Sequence, residues 1–286
     1  MNLSASSNPL AKHFRQPKLY VTLPSKGYFY PKGSLETTET GEIPVLAMTA
    51  KDELRFKTPD ALLNGQSTVD VIQSCIPNIK NAWNVPSIDV DYILIAIRIA
   101  TYGEKMSITT TLPNTDIERS YDVDLRILLD QISSNEYENI VSYRDWKFEI
   151  APTNYKNFTD SAMKTFEEQR ILKLLDDDNM SEVEKIQRFN ESFTRLTDLN
   201  IGLMARSVVA IQYQDEDPVT DPTHIAEFFD NADKDLYKDV LDHIESQRQK
   251  FKIKSLKVVT GEEERAAGAP EEFMLPIVFD RSDFFA

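Results

Sequence analysis

Short stretches of alternating hydrophobic and polar residues dominate the first half of the chain. The segment LYVTLPSKGYFYPKG (19–33) alternates briefly between prolines and glycines, which favours short strands joined by tight turns. KMSITTTLP (105–113) and RSYDVDL (119–125) are rich in β-branched residues, so they predict a hairpin across PNTD. YENIVSYRDWKFEIAP (137–152) is also strand-like and ends at Pro152.

Helical spacing of apolar residues appears between these strands. In the stretch from Asp89 to Tyr102 apolar residues cover most of the helix circumference, which predicts a buried central helix that ends at Gly103. A shorter helix is predicted to begin after Thr49, a residue type that caps helix N-termini. Further short helices are predicted at Val69–Ser74 and in RILLDQI (126–132).

A helical hairpin is predicted after residue 152, because the next sixty residues contain one glycine, no proline and apolar residues at helical spacing. The first helix runs from about Asn157 to Leu175. The second begins with a capping box between Ser181 and Glu184 and extends as far as Tyr213. Its apolar positions are Ile186, Phe189, Phe193, Leu196 and Leu199.

The last seventy residues predict two more helices and an apolar end. Asp221 before Pro222 is a cap for the helix HIAEFF, and a further helix covers about Lys234 to Phe251. IKSLKVVT (253–260) is strand-like, and GEEERAAGAPEE (261–272) is interpreted as an aperiodic tether.

Together these elements predict an α+β fold, a mixed region with short strands and a buried helix followed by helical parts. The chain is divided into a flexible arm, a mixed region, a helical hairpin, C-terminal helices with a strand, and a linker with an apolar tail. The respective residues are 1–18, 19–152, 153–215, 216–260 and 261–286.

Charge limits the classes of partner. The chain of 286 residues has 32 Lys and Arg against 47 Asp and Glu, a formal charge of −15, which disfavours nucleic acid and anionic membrane surfaces. The longest apolar stretch, YILIAIRIA, is interrupted by Arg98, so no membrane insertion is expected. A single cysteine, Cys75, forms no intramolecular disulfide, fits a reducing compartment such as the cytoplasm, and is interpreted as a core residue.

Candidate catalytic and metal sites are weak. Asp176, Asp177 and Asp178 are interpreted as a solvated helix connection, because no EF-hand glycine follows them. The pairs Asp122/Asp124 and Asp89/Asp91 lack a further base, and helix capping explains Asp89 and Asp124. No phosphate-binding glycine motif is present, and the histidines His13, His224 and His243 lie in separate segments. We therefore expect no catalytic residues, no cofactor and no metal.

Five blocks in order resemble the T-even-type family of contractile-tailed phage baseplate proteins. They span about Leu19 to Ile132, with a weaker similarity in FDRSDFF. The blocks are LPSKGYFYPKG, MTAKDELRFKTPDALLNG, VIQSCIPN, DVDYILIAIRIATYG and YDVDLRILLDQI.

The resemblance implies a non-enzymatic baseplate hub subunit or hub-assembly factor that contacts other baseplate or tail proteins. A homo-oligomer is left open. Relatives of this kind carry a CPxC-type zinc knuckle where this chain has LPNTDI (112–117), which implies that the metal has been lost here. The protein is expected in the host cytoplasm during assembly and in the virion baseplate. The alternatives are an assembly chaperone that is absent from the mature virion and, from another class, a hydrolase.

Contact residues are proposed at two places. The resemblance suggests that the polar, turn-rich blocks MTAKDELRF and PDALLNG form presented surface, although capping and solvation explain the same residues. The apolar tail docks either onto its own body or into a neighbouring subunit, and it is too apolar to remain in water. The candidate contact residues are Lys51, Asp52, Glu53, Asp60, Phe273, Phe279, Phe284 and Phe285.

Overall fold

In the computed structural model the fold begins with two strands, Pro17–Val21 (β1) and Ile43–Leu46 (β2), which pair antiparallel. The residues that the structure describes are 10, 14–57, 65–174 and 182–277. Pro17 and Lys18 belong to β1, whereas the sequence assigned them to a flexible arm. Pro17 pairs with Leu46 of β2 and Lys18 lies at a shift in the register, which composition alone does not reveal.

The next helices are Ala50–Phe56 (α1) and Gln66–Cys75 (α2). Thr49 caps α1 as predicted, and it forms a capping box because Asp52 returns a hydrogen bond to the Thr49 backbone. Helix α2 begins three residues before the predicted start.

The buried central helix is Ser87–Tyr102 (α3), which begins two residues before the prediction and ends at Gly103 with φ of 94°. It contacts β1, β2 and α2. Side chains from all around α3 are buried, so this helix forms the centre of a first hydrophobic core.

Strands Lys105–Thr111 (β3) and Glu118–Asp124 (β4) form the predicted hairpin. Asp124 then caps the following helix, Leu125–Ser133 (α4), by accepting a hydrogen bond from the Arg126 amide. Helix α4 packs on α3.

Strands Ile140–Tyr143 (β5) and Trp146–Ile150 (β6) follow, and then come the helices Tyr155–Leu174 (α5) and Glu182–Ser207 (α6). The two helices are those of the predicted hairpin, while the capping residue Ser181 and the aspartates 176–178 lie outside the described residues.

Residues Val208–Tyr213 form a strand (β7), so the prediction that the hairpin helix extends to Tyr213 is wrong. The run VVAIQ is β-branched and pairs antiparallel with β6, giving a sheet of order β5-β6-β7. Helices Pro222–Asp230 (α7) and Lys234–Lys250 (α8) cover this sheet and form a second hydrophobic core with it. Asp221 caps α7 as predicted, accepting from the amides of Thr223 and His224.

The C-terminal part returns to the first core. Strand Leu256–Val259 (β8), helix Glu262–Ala266 (α9) and strand Glu272–Leu275 (β9) follow in order, and β8 pairs antiparallel with β9. The interpretation of residues 261–272 as an aperiodic tether is therefore wrong. Glu264 fixes α9, because its carboxylate accepts from the Gly261 amide at 2.8 Å and from Arg119 at 2.9 Å.

The predicted α+β class is confirmed by this mixture of helices and small antiparallel sheets. The five-part division of the chain stays a prediction. Within the described ranges no helix is both long and apolar enough to cross a membrane.

Candidate functional site

The outer half of the helical hairpin exposes its apolar side chains. Between residues 183 and 200 of α6, Ser192 is the only buried residue. Phe189 and Phe193 are 50% and 61% exposed, and their rings stack with centroids 6.2 Å apart. We call this row the distal stripe, and its members are Val183, Ile186, Phe189 and Phe193.

Helical periodicity places Ile186, Phe189 and Phe193 on one face of α6, because residues three, four and seven apart lie on the same side. The side that faces α5 is mixed, because half-buried Leu199 follows Ser192 by seven residues and lies on the same side of α6. Ser192 is fully buried there, and Arg195 donates to Glu168 of α5 at 2.7 Å. That hydrogen bond holds the pKa of Glu168 below its ordinary value. Polar contacts therefore contribute to the seam between α5 and α6, and the two phenylalanines of the distal stripe remain exposed.

Nearer the body, the hairpin borders a groove of about 890 Å³ between α5, α6 and α8. Phe158 and Phe166 of α5 contribute to it and remain 39% and 63% exposed. Leu203 of α6 and Leu241 of α8 line the same groove. Because Leu203 follows Phe193 by ten residues, it lies within about 80° of Phe193 around α6, adjacent to the distal stripe.

The base of that face is covered by the protein itself. Met204, eleven residues after Phe193, is 2% exposed and belongs to the second core. This face of α6 is therefore apolar and buried at its inner end, apolar and uncovered at its outer end, and interrupted between them by the exposed residues Thr197 and Asn200.

A second notable feature is the turn 24–30, which a buried carboxylate holds. Asp89 of α3 is fully buried and accepts from the Ser25 amide at 2.8 Å, the Ser25 hydroxyl at 2.5 Å and the Tyr30 hydroxyl at 2.9 Å. Burial raises the pKa of Asp89 to about 6, although these hydrogen bonds oppose the rise. Helix capping was the predicted role of Asp89, and that prediction is wrong, since the carboxylate binds the turn.

The turn itself is strained. Lys26 and Phe29 have positive φ of 54° and 70°, values that L residues rarely adopt. Tyr28 projects from it with 68% of its surface exposed, while Phe29 packs edge-on against Tyr137. The anchoring by Asp89 offsets this backbone strain.

The predicted contact residues near Thr49 have different surroundings. Lys51 is exposed and Glu53 is half-buried, so their contact roles stay predictions. Asp52 is 3% exposed and accepts from Thr49, from Ser74 at 3.0 Å and from Arg15 at 3.3 Å. Burial acts to raise the pKa of Asp52, but these hydrogen bonds and the Arg15 charge lower it below its ordinary value. Asp60 lies outside the described residues.

The described part of the apolar tail packs on its own chain. Phe273 is half-buried and contacts Tyr121 edge-on at 5.9 Å, and Leu275 and Ile277 are buried in the first core. Phe279, Phe284 and Phe285 lie outside the described residues, and a contact with another subunit stays a prediction for them.

The remaining chemically reactive groups are dispersed. His243 contacts the Glu138 carbonyl at 3.0 Å, and His224 is exposed at the start of α7, while His13 is outside the described residues. The core role of Cys75 is confirmed, because its side chain is fully buried and burial raises its pKa to about 12. Among the described residues no group of three or more His, Cys, Asp or Glu could hold a metal ion.

The outward orientation of the distal stripe and the anchoring role of Asp89 were missed from the sequence. The seam residue Ser192 was an available signal, because its small side chain allows closer contact between helices than the neighbouring phenylalanines do. Nothing local to Asp89 indicates Ser25 as its partner, since the two residues are 64 positions apart.

Comparison with known proteins gives one match. A family model described as T4 bacteriophage base plate protein matches residues 30–265, which includes the hairpin and extends well beyond the blocks recognised in the sequence. No curated protein and no solved structure matches.

Proposed function

The chain belongs to the T4 bacteriophage base plate protein family, and we propose that it serves there as a hub structural or hub-assembly protein without enzymatic activity. It acts by holding neighbouring baseplate or tail proteins through the apolar face of the helical hairpin. Membership of the family makes it a phage baseplate protein. The role within the baseplate is the proposal.

The observation that carries this proposal is the exposed face of α5 and α6. Phe166 and Phe193 are each more than 60% exposed, and large apolar side chains clustered in this way mark contact sites with other proteins. The body has two cores of its own, so the hairpin is not needed to complete either of them at its outer end.

The buried acid of the fold supports a structural role. Asp89 has a raised pKa, as many catalytic acids do, but its three hydrogen-bond partners all belong to the turn 24–30. We therefore assign the carboxylate of Asp89, despite its raised pKa, the role of holding the turn 24–30 in place.

A complementation experiment tests the proposal. A phage that lacks this protein is supplied with the wild type or with Phe166→Ser/Phe193→Ser, and completed tails are counted. We expect the variant to fold and to yield far fewer completed tails. Val259→Ser/Met274→Ser is the matched control, because both residues are exposed apolar positions on the β8-β9 hairpin. Normal tail yield with the hairpin variant contradicts the proposal.

Mass spectrometry of purified virions separates the two forms of the role. A hub structural subunit stays in the particle at a fixed ratio to the other baseplate proteins. An assembly chaperone present in the host cytoplasm is absent from the particle.

A further inference from the structure

We propose that the distal stripe binds the same stripe of a second copy of this chain, so that two hairpins pair antiparallel in a symmetric dimer. The inference rests on the proposed function only in assigning the hairpin to protein contacts, and it names the partner. Its support is the area of the stripe, the distribution of charge and the length of α6.

The area is suited to a dimer. The side chains of the stripe are between 50% and 74% exposed, which amounts to roughly 400 Å² of apolar surface per copy. Because about 57% of a typical interface is non-polar, the complete footprint is on the order of 700 Å² per copy. Stable interfaces bury about 600 to 1,000 Å² per partner. A symmetric pairing of the stripe, together with the polar surface that flanks it, reaches that range.

The charge distribution favours contact through the hairpin. Helix α5 has four basic and three acidic residues, and α6 has four of each, so the two helices together are almost neutral. The chain as a whole has a formal charge of −15, and all of the excess negative charge is therefore outside these two helices. Two copies repel each other through their bodies and do not through their hairpins.

Charge also selects the antiparallel arrangement. Parallel pairing places the two acidic bodies side by side. Antiparallel pairing centred near Phe189 puts each body about 22 Å from the centre, because Met204 follows fifteen residues later at about 1.5 Å per residue. The bodies are then about 45 Å apart, several Debye lengths at physiological salt.

The surface is prepared for such a contact. Stacking of Phe189 on Phe193 restricts both rings before any partner arrives, and the Arg195–Glu168 seam fixes α6 against α5. An isologous interface requires a patch that is complementary to itself, and a straight row of interdigitating apolar side chains meets this requirement.

Sedimentation velocity of the full-length protein from about 1 to 100 μM tests the inference. We expect a concentration-dependent rise from the 32.8 kDa monomer to twice that mass. Phe189→Ala/Phe193→Ala should raise the dimer Kd at least about 100-fold, since four aromatic side chains leave the interface. Alanine favours helix, so the circular dichroism spectrum of the variant should match that of the wild type. The Val259→Ser/Met274→Ser control should remain a dimer.

Cysteine cross-linking tests the orientation. Native Cys75 is fully buried, so an introduced cysteine is the reactive thiol. Asn190→Cys lies at the centre of the stripe and should form a disulfide between copies under mild oxidation. Val183→Cys lies at one end and should not pair with itself. Preferential cross-linking at position 183 overturns the antiparallel arrangement.

Two results overturn the dimer itself. One is a monomer throughout the concentration range, which leaves the stripe to a different protein. The other is an unchanged dimer in the double-alanine variant. The complementation experiment tests the proposed function separately. If the protein is monomeric but Phe166→Ser/Phe193→Ser still yields few completed tails, the dimer is excluded and the proposed function stands.

Discussion

Replacing Asp89 with asparagine should remove a specific pH dependence from the free energy of unfolding. The folded protein raises the pKa of Asp89 from 3.8 to about 6, so between these values the folded state binds more protons than the unfolded state. The contribution of Asp89 to stability is therefore fully present below pH 3.8. It is lost as the pH rises through 6, because the buried carboxylate then becomes charged.

The size of the effect follows from these two values. Between pH 7.5 and pH 5.5 the wild type should gain about 0.8 kcal/mol from Asp89, since one pKa unit corresponds to about 1.4 kcal/mol when fully titrated. Asparagine has no charge to titrate and should gain nothing from this position. It also keeps an oxygen that can accept from the Ser25 amide, so the variant should fold.

Urea unfolding followed by circular dichroism at the two pH values measures this difference. Asp122→Asn is the matched control, because Asp122 is exposed on β4 and accepts a hydrogen bond from Ser107. The control should retain the wild-type pH dependence. The free energy of unfolding of Asp89→Asn should not increase as the pH falls from 7.5 to 5.5 by as much as that of the wild type. If it increases by the same amount or more, a raised pKa of Asp89 is not the source of the pH dependence.

Three further predictions concern the tail, a glycine and the aspartate connection. Truncation after Glu272 should lower the free energy of unfolding by about 3 kcal/mol, because β9 and two buried side chains are lost. Truncation after Ile277 should change the free energy of unfolding by no more than about 0.5 kcal/mol. A defect of this second variant in tail assembly would then reflect a contact made by the last nine residues. Gly65→Ala should destabilise by about 1 to 3 kcal/mol in the same assay, because Gly65 has φ of 76° and an added Cβ comes within 3.1 Å of Thr159. Replacement of aspartates 176–178 with asparagine should shift the melting temperature by about 1 °C at most, with or without calcium.

Elements that depend on local sequence were predictable. The caps at Thr49 and Asp221 act on amides two or three residues away, so the sequence contains both partners. The central helix α3 was predictable because its apolar residues surround the helix and Gly103 follows. The family resemblance also pointed to the baseplate, although the matched region extends to residue 265 and includes the hairpin.

Features that depend on distant partners were not predictable. Val208–Tyr213 continues the hairpin without a proline or glycine, and only pairing with β6 makes it a strand. Helix α9 has no apolar periodicity, and the ion pair with Arg119 holds it, 145 residues away along the chain. The apolar spacing of α6 identified a helix correctly but did not say which side faces α5, because spacing defines a face and not its neighbour.

The arrangement of the two cores constrains the order in which they can form during synthesis. The first core takes residues from Val21 to Tyr155 and again from Phe251 to Ile277, whereas the second takes residues between Phe148 and Val240. All of the second core has therefore been translated before the last part of the first, and parts of a chain that are complete can fold while the ribosome is still working. We expect the first core to remain incompletely covered until β9 emerges. A nascent chain halted when residue 250 has just left the ribosome should present a finished second core and an unfinished N-terminal half.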